Sequence, residues 1–189
     1  MLEEKIRKAK VEKRPVLFKG ILPTNSDWNY IMNYINNKFN ETPEYPVQND
    51  RFFKNKKDKT VSMFSNSDLN LQAWGIKLPE CKNLSDTFSI TNKVNESSFK
   101  LLIDFLGFGN LNNIHKDKSE VYSWTLINSV EYRIYENKNE YPFEETLEID
   151  NEPYESFIIE AGDVMYMPKG VVHQSVVNEP RVSLVASFL

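Results

Sequence analysis

One segment near the end of the chain constrains its fold more than any other. Residues 162–178 follow the pattern Gly-x5-Pro-x-Gly-x2-His-x4-Asn, in which x is any residue. Glycine and proline fix a tight turn between two strands. The segment therefore predicts two strands joined by a tight turn, with His173 at the start of the second strand.

The only other histidine of the chain also stands in a pattern suited to metal binding. His115 is followed two positions later by Asp117, and residues two apart on a strand project from the same face. Two imidazoles and one carboxylate form the ligand set of mononuclear non-haem Fe(II) sites, which keep coordination positions open. We therefore predict that His115, Asp117 and His173 hold one metal ion.

These residues resemble a known family. Residues 162–178 are similar to the second conserved motif of the cupin superfamily, and their combination with His115-x-Asp117 resembles the JmjC-like, cupin-like branch of Fe(II)/2-oxoglutarate-dependent oxygenases. Residues 13–20 are also similar to the strand that opens many of those domains. The resemblance is specific from about residue 98 to the end. It implies a mainly β fold, a double-stranded β-helix (jelly-roll or cupin barrel) with a few N-terminal helices and Fe(II) at the barrel mouth.

Length and composition predict one compact domain over residues 1–189. Hydrophobic residues make up 40 % of the chain and charged residues 26 %, as is usual for globular proteins. A chain of this length can bury roughly 70 % of its unfolded surface. We expect N-terminal helices and supporting strands in residues 1–97 and the metal-binding jelly-roll core in residues 98–189.

Hydrophobic periodicity predicts the elements. Helices are expected within residues 1–14 and through Trp28 and Ile35, the second capped by Asn25 or Ser26. Short β-rich runs bounded by turn residues favour a barrel or sandwich. The predicted strands cover residues 16–18, 60–64, 71–78, 99–106, 121–127, 131–135, 157–160, 163–167, 171–177 and 182–188.

The resemblance implies hydroxylation of a substrate, coupled to oxidative decarboxylation of 2-oxoglutarate by O2. The far carboxylate of 2-oxoglutarate then needs a cation, and arginine suits it. The position that carries this cation in the JmjC-like branch corresponds to Val130 here. Arg133 could replace it after a small shift, and Arg181 with Ser183 resembles the Arg-x-Ser pair of other 2-oxoglutarate oxygenases. Asn112 matches a position that often contacts the cosubstrate.

Two other functions stay open. The chain could be a cupin dioxygenase or isomerase that does not use 2-oxoglutarate, with Glu120 as an extra ligand. It could also be a non-catalytic binding module whose barrel interior is lined by Tyr122 and Trp124. Alternation along this strand predicts that these aromatics face away from the set Val121, Ser123 and Thr125, but a one-residue shift would exchange the two faces.

Charge and cysteine content limit the partners. The net charge of −4 does not favour general nucleic-acid binding. The lone Cys81 excludes an intramolecular disulfide framework and suits the cytoplasm, and no signal peptide or membrane span is apparent. We expect O2 and an unidentified substrate, a small molecule or a protein side chain, and self-association as a homodimer is possible. The acidic segment 139–156 and the basic cluster 51–59 could be solvated or could recruit a partner of opposite charge.

Overall fold

The computed structural model describes residues 2–41, 52–55, 60–63, 70–105, 110–111, 113–138, 140–143 and 145–189. The helices of this part are α1 (Leu2–Glu12), α2 (Trp28–Glu41) and α3 (Pro79–Thr87), and a 3-10 turn spans Glu96–Ser98. Its strands are β1 (Val16–Phe18), β2 (Phe52–Asn55), β3 (Thr60–Met63), β4 (Asn70–Trp74), β5 (Phe99–Asp104), β6 (Asn110–Leu111), β7 (His115–Lys116), β8 (Glu120–Ile127), β9 (Ser129–Tyr135), β10 (Glu155–Glu160), β11 (Val164–Met167), β12 (Val172–Val177) and β13 (Arg181–Phe188).

The strands form two main antiparallel sheets. Six strands pair in the order β1-β11-β8-β13-β5-β4. The second sheet has the order β10-β9-β12-β6, and β7 also pairs with β12. Because β8 and β9 are consecutive but lie in different sheets, and β11 and β12 likewise, the chain crosses repeatedly from one sheet to the other. This crossing produces the predicted double-stranded β-helix.

Two apolar layers support the sheets. The larger one joins the helices to the six-stranded sheet, since Ile6 of α1, Ile31 of α2 and Leu84 of α3 belong to the same buried cluster as Trp124 of β8. The smaller one lies between the sheets and includes Tyr132, Met165 and Met167, among others. The helices therefore cover one face of the six-stranded sheet, and its other face lines the barrel interior.

The predicted elements are largely found, with several differences. The predicted strand 71–78 ends at Trp74, and the helix α3 that follows was not predicted, although a proline at its first turn is a helix-start signal. Strand β2 was also missed. The cap of α2 is neither Asn25 nor Ser26, because Oδ1 of Asp27 accepts the Tyr30 N–H at 2.7 Å. The single-domain organisation stays a prediction.

The turn between β10 and β11 depends on a buried carboxylate. Gly162 has φ of +96°, which favours glycine. The adjacent Asp163 accepts the backbone N–H of Gly20 at 2.7 Å and that of Glu160 at 3.1 Å. The carboxylate thus joins the start of β11 to the loop after β1.

We expect Asp163→Ala to lower the free energy of unfolding by about 2–3 kcal/mol. Hydrogen bonds to a charged group contribute about 1.5–3 kcal/mol each, and the freed N–H groups regain part of this by hydrogen bonding to water. Urea unfolding measures this loss. Asp150→Ala, which removes an exposed carboxylate, is the matched control and should change stability by less than about 0.5 kcal/mol. Equal stability of the two variants would contradict the structural role of Asp163.

Candidate metal centre

Pairing of two strands brings the predicted metal ligands together. Strand β7 runs antiparallel to β12, and His115 lies directly opposite His173. Side chains opposite each other on one face of an antiparallel pair lie close together, and the two imidazole ring centroids are 4.5 Å apart. Asp117 follows the end of β7, and its side chain returns to the same face.

The distances among the three side chains suit one shared ion. The Nε2 atoms of His115 and His173 lie 3.7 Å from Oδ1 and Oδ2 of Asp117, respectively. One ligand atom from each residue can be chosen so that all lie within 4.8 Å of one another. These separations are too long for hydrogen bonds, but ligands about 2.1 Å from an ion are roughly 3–4 Å apart. The three residues can therefore hold a metal ion.

Backbone carbonyls fix both imidazoles in the tautomer that a metal needs. Nδ1 of His115 lies 2.8 Å from the carbonyl oxygen of Asn113, and Nδ1 of His173 lies 3.0 Å from that of Val171. A carbonyl oxygen only accepts, so each Nδ1 carries the proton and donates it. Each Nε2 is then left with a lone pair facing Asp117, which is the arrangement expected of ligand histidines. These carbonyl partners could not be predicted from the sequence.

The turn of the 162–178 motif supports the third ligand. The Gly170 N–H donates to the carbonyl oxygen of Asp117 at 3.0 Å. Gly170 has φ of +81°, a backbone conformation that favours glycine. This conformation explains the second glycine of the motif, at the point where the turn contacts the loop that carries Asp117.

Burial changes the acidity of one ligand. It lowers the pKa of His173 to about 4 from an ordinary 6.5, the repulsion by His115 adding to this effect and the Asp117 charge opposing it. The neutral imidazole that binds metal is therefore the form present at neutral pH.

The metal-free protein should lose stability as the pH falls from about 6.5 to about 4. In that window the unfolded chain protonates His173 and the folded chain does not, so the free energy of unfolding drops by about 1.4 kcal/mol per pH unit from this group. Urea unfolding between pH 7.5 and 4.5 measures the slope. His173→Gln should have a shallower slope, and an identical slope would contradict the assignment.

The metal residues form part of the wall of a cavity of about 360 Å³. Its wall also carries two cationic side chains, Lys100 of β5 and Arg181 of β13, and hydroxyl groups from Ser123, Tyr132 and Ser175. The cavity therefore offers positive charge and hydrogen-bonding groups beside the metal ligands.

Arg181 is held rigidly in this wall. The residue is 1 % exposed and lies directly opposite Asp104 on the paired strand β5. Its Nε donates to Oδ2 of Asp104 at 2.7 Å, and its Nη1 donates to Oγ of Ser183 at 2.8 Å. Burial raises the pKa of Asp104, and the Arg181 charge opposes that rise. The predicted Arg-x-Ser pair is thus a direct contact, with a carboxylate partner that was not predicted.

Lys100 was also missed as a cavity residue. It shares one face of β5 with Asp104, since residues four apart on a strand project to the same side. The signal was present in the sequence, because residues 99–104 read Phe-Lys-Leu-Leu-Ile-Asp. Two charged side chains on one face of an otherwise apolar strand indicate a polar cavity more than an ordinary core.

Several other candidate residues do not reach the cavity. Arg133 lies on the outer face of β9 and pairs with Glu131, its Nε 2.9 Å from Oε1. Glu120 pairs with Lys10 at 2.7 Å and is not part of the metal group, so it is not an extra ligand. Asn112 lies outside the described residues.

Strand β8 separates the cavity from the helix layer. Val121 and Ser123 line the cavity, whereas Tyr122 and Trp124 belong to the core beneath the helices. Thr125 is fully buried. The alternation predicted for this strand is confirmed at these positions, and an interior lined by Tyr122 and Trp124 is wrong.

The acidic segment 139–156 contacts the residues just before β7. Glu145 and Thr146 border the cavity, and the Asn113 side-chain amide donates to Oγ1 of Thr146 at 2.9 Å. The Leu147 N–H donates to the carbonyl of Ile114 at 2.8 Å. This part of the segment is therefore docked at the mouth of the cavity.

The structure describes only part of what bears on two further expectations, the basic cluster and the membrane span. Most of the basic cluster 51–59 lies outside the described residues. Within the described ranges, none of the helices has the length and apolar character that crossing a membrane requires.

Comparison with known proteins supports the same family. Residues 105–188 match the JmjC domain family. The fold is similar to that of YcfD, a ribosomal oxygenase from Escherichia coli, in complex with cobalt and 2-oxoglutarate (TM-score 0.66, 15 % identity, 100 % of this chain and 52 % of that chain covered). A complex of YcfD with cobalt and succinic acid gives a TM-score of 0.65 at 16 % identity, with 100 % and 51 % of the two chains covered.

The chain thus spans about half the length of the YcfD chains that it matches. No curated protein matches its sequence. The predicted double-stranded β-helix and the resemblance to cupin-like JmjC proteins are confirmed.

Proposed function

We propose that this chain, with its cupin-like JmjC domain, is an Fe(II)- and 2-oxoglutarate-dependent oxygenase that hydroxylates its substrate. One observation carries the proposal: His115, Asp117 and His173 converge on the wall of one cavity, and both Nε2 lone pairs face the carboxylate. The same wall carries two cationic side chains. YcfD, which shares the fold, was solved with cobalt and 2-oxoglutarate.

The three ligands suit Fe(II) better than a structural metal. Two imidazoles and one carboxylate occupy one side of an ion and leave positions for small ligands, whereas structural sites are closed by protein ligands. When bound, iron and 2-oxoglutarate supply the oxidising power that inserts one oxygen atom of O2 into a substrate C–H bond, and 2-oxoglutarate leaves as succinate and CO2. The protein contributes the ligand geometry described above.

Arg181 is the proposed anchor for the far carboxylate of 2-oxoglutarate. Its guanidinium lies in the cavity wall, and its hydrogen bonds to Asp104 and Ser183 fix its orientation before any ligand arrives. Preorganised donors bind a carboxylate without losing side-chain freedom at that moment. Asp104 also offsets part of the positive charge of Arg181, so we propose Lys100 as a second cation for the same dianion.

Apolar side chains line part of the cavity beside the metal ligands. Met165, Met167 and Val121 line it together with the metal ligands. In a site with little water, electrostatic interactions with the cosubstrate are stronger than in solution. The Tyr132 hydroxyl, 3.4 Å from Oγ of Ser123, supplies a polar contact across the interior.

The experiment that tests the function is an anaerobic Fe(II) titration followed by 2-oxoglutarate, observed through the visible metal-to-ligand charge-transfer band. O2 is then admitted and succinate is measured. We expect a band and slow succinate formation even without substrate. Iron binding with no band would favour a cupin enzyme that does not use 2-oxoglutarate, and no iron binding would favour a non-catalytic binding module.

We propose ribosomal components as the first substrates to test. The reason is the fold shared with YcfD, which is a ribosomal oxygenase, and the acidic side chain of Glu145 at the cavity mouth favours cationic substrates by complementary charge. Mass spectrometry of ribosomal proteins treated with the iron-loaded enzyme would detect a gain of one oxygen atom. A small-molecule substrate is the alternative if no ribosomal component is modified.

A further inference from the structure

A second cavity lies behind the metal-binding strand. It measures about 420 Å³ and shares no lining residue with the cavity of the metal centre. Lys116 of β7 lines it, whereas its neighbours His115 and Asp117 line the first cavity. Alternation along this short strand therefore places one cavity on each side of β7.

The second cavity is strongly positive. Four lysines and one carboxylate line it, Lys10, Lys13, Lys116, Lys169 and Glu120. Lys10 is already paired, its Nζ 2.7 Å from Oε1 of Glu120. The other three ammonium groups give the cavity a net positive charge, which favours an anionic ligand.

Lys116 is the buried member of this set. The residue is 3 % exposed, and its Nζ lies 4.6 Å from the centroid of the Phe143 ring. A cation–π contact contributes about 0.5–2 kcal/mol, less than the several kcal/mol that burying an ammonium group costs. Among the described residues, no carboxylate lies within ion-pair distance of this group. An anion in the cavity would supply the missing compensation.

Tyr166 and Glu120 form another part of the wall. Tyr166 is fully buried and borders the cavity, and its hydroxyl interacts with the Glu120 carboxylate. Burial and the charge of Glu120 raise the pKa of this hydroxyl, so it keeps its proton and can donate to that carboxylate. The acidic side chain of the wall is thus engaged by Lys10 and Tyr166, and not by Lys116.

We propose that this cavity binds a small ligand through a phosphate group. The phosphate oxygens would accept hydrogen bonds from Lys116 and interact with Lys13 and Lys169 at the rim. Phosphate is favoured over a single carboxylate because it spreads nearly two charges over three acceptor oxygens, which suits several converging ammonium groups.

The test is calorimetric titration of the full chain with inorganic phosphate, ribose 5-phosphate and ribose in a phosphate-free buffer. Saturable binding of ribose 5-phosphate alone identifies a phosphate ester, and equal binding of both phosphates identifies free phosphate. Either result supports the site. Absence of binding by both overturns it, as does ribose that binds as well as its phosphate. Iron and 2-oxoglutarate are not needed, so a negative result leaves the oxygenase proposal untouched.

Matched variants locate the binding site. We expect Lys116→Met to weaken binding at least tenfold and Lys169→Met about fivefold. Lys8→Met, which removes an exposed lysine of α1, should bind as the wild type does. If Lys116→Met does not fold, Lys169→Met decides, and unchanged binding in that variant would overturn the assignment.

Discussion

Replacing Asp117 with asparagine will remove tight metal binding and lower the rate of succinate formation by more than about 100-fold, the upper range for loss of the groups that merely support a ligand. Among the described residues, the Asp117 carboxylate is the negative group that faces both Nε2 atoms, at 3.7 Å from each. Asparagine keeps the shape but removes the charge. The fold should persist, since the bond to Gly170 uses the Asp117 backbone carbonyl.

Equilibrium dialysis with Co(II) and the succinate assay measure the two effects. Asp150→Asn is the control, because it removes an exposed carboxylate of the acidic segment and should leave both unchanged. An Asp117→Asn protein with wild-type affinity for Co(II) would exclude Asp117 as a ligand.

Replacing Arg181 with methionine should lower the free energy of unfolding by about 3–5 kcal/mol, the usual loss when one partner of a buried ion pair is removed. Asp104, which is 2 % exposed, would be left without its arginine. Adding Asp104→Asn to the same protein should restore part of the loss, because the uncompensated charge disappears. Urea unfolding of the two single variants and the double variant gives the coupling between the residues.

The same variants test the cosubstrate anchor. Arg181→Met/Asp104→Asn should raise the KM for 2-oxoglutarate at least tenfold, about 1.4 kcal/mol. Arg133→Met is the matched control, because its partly exposed pair with Glu131 should contribute less than about 1 kcal/mol to stability. An unchanged KM in the double variant and a raised KM in Lys100→Met would assign the anchor to Lys100.

The sequence predicts best where chemistry and periodicity agree. His115, Asp117 and His173 stand out because histidine is so rare in this chain, and the spacing of the glycines and proline predicts the turn beside them. Helix α3 was missed because its polar residues give only a weak apolar stripe, although Leu84 is fully buried. Its position depends on tertiary packing more than on local propensity.

The cavity walls were harder to predict, because they depend on which strands become neighbours. Asp104 and Arg181 are far apart in sequence and meet only through the pairing of β5 with β13. Arg133 was proposed from its distance along the chain, and strand alternation directs it outwards. The position of Lys116 in a second cavity could not be predicted for the same reason, because that cavity forms only when α1, β7 and β11 come together.

One backbone amide reports on the loop that carries Asp117, because the Gly170 N–H donates to the Asp117 carbonyl oxygen. That amide can exchange with deuterium only when the turn after β11 separates from the loop after β7. A metal ion held by Asp117 and His173 ties both segments together, so it should slow this exchange by the free energy that it adds to the closed state. The exchange rate of the Gly170 amide therefore measures how often the metal site opens.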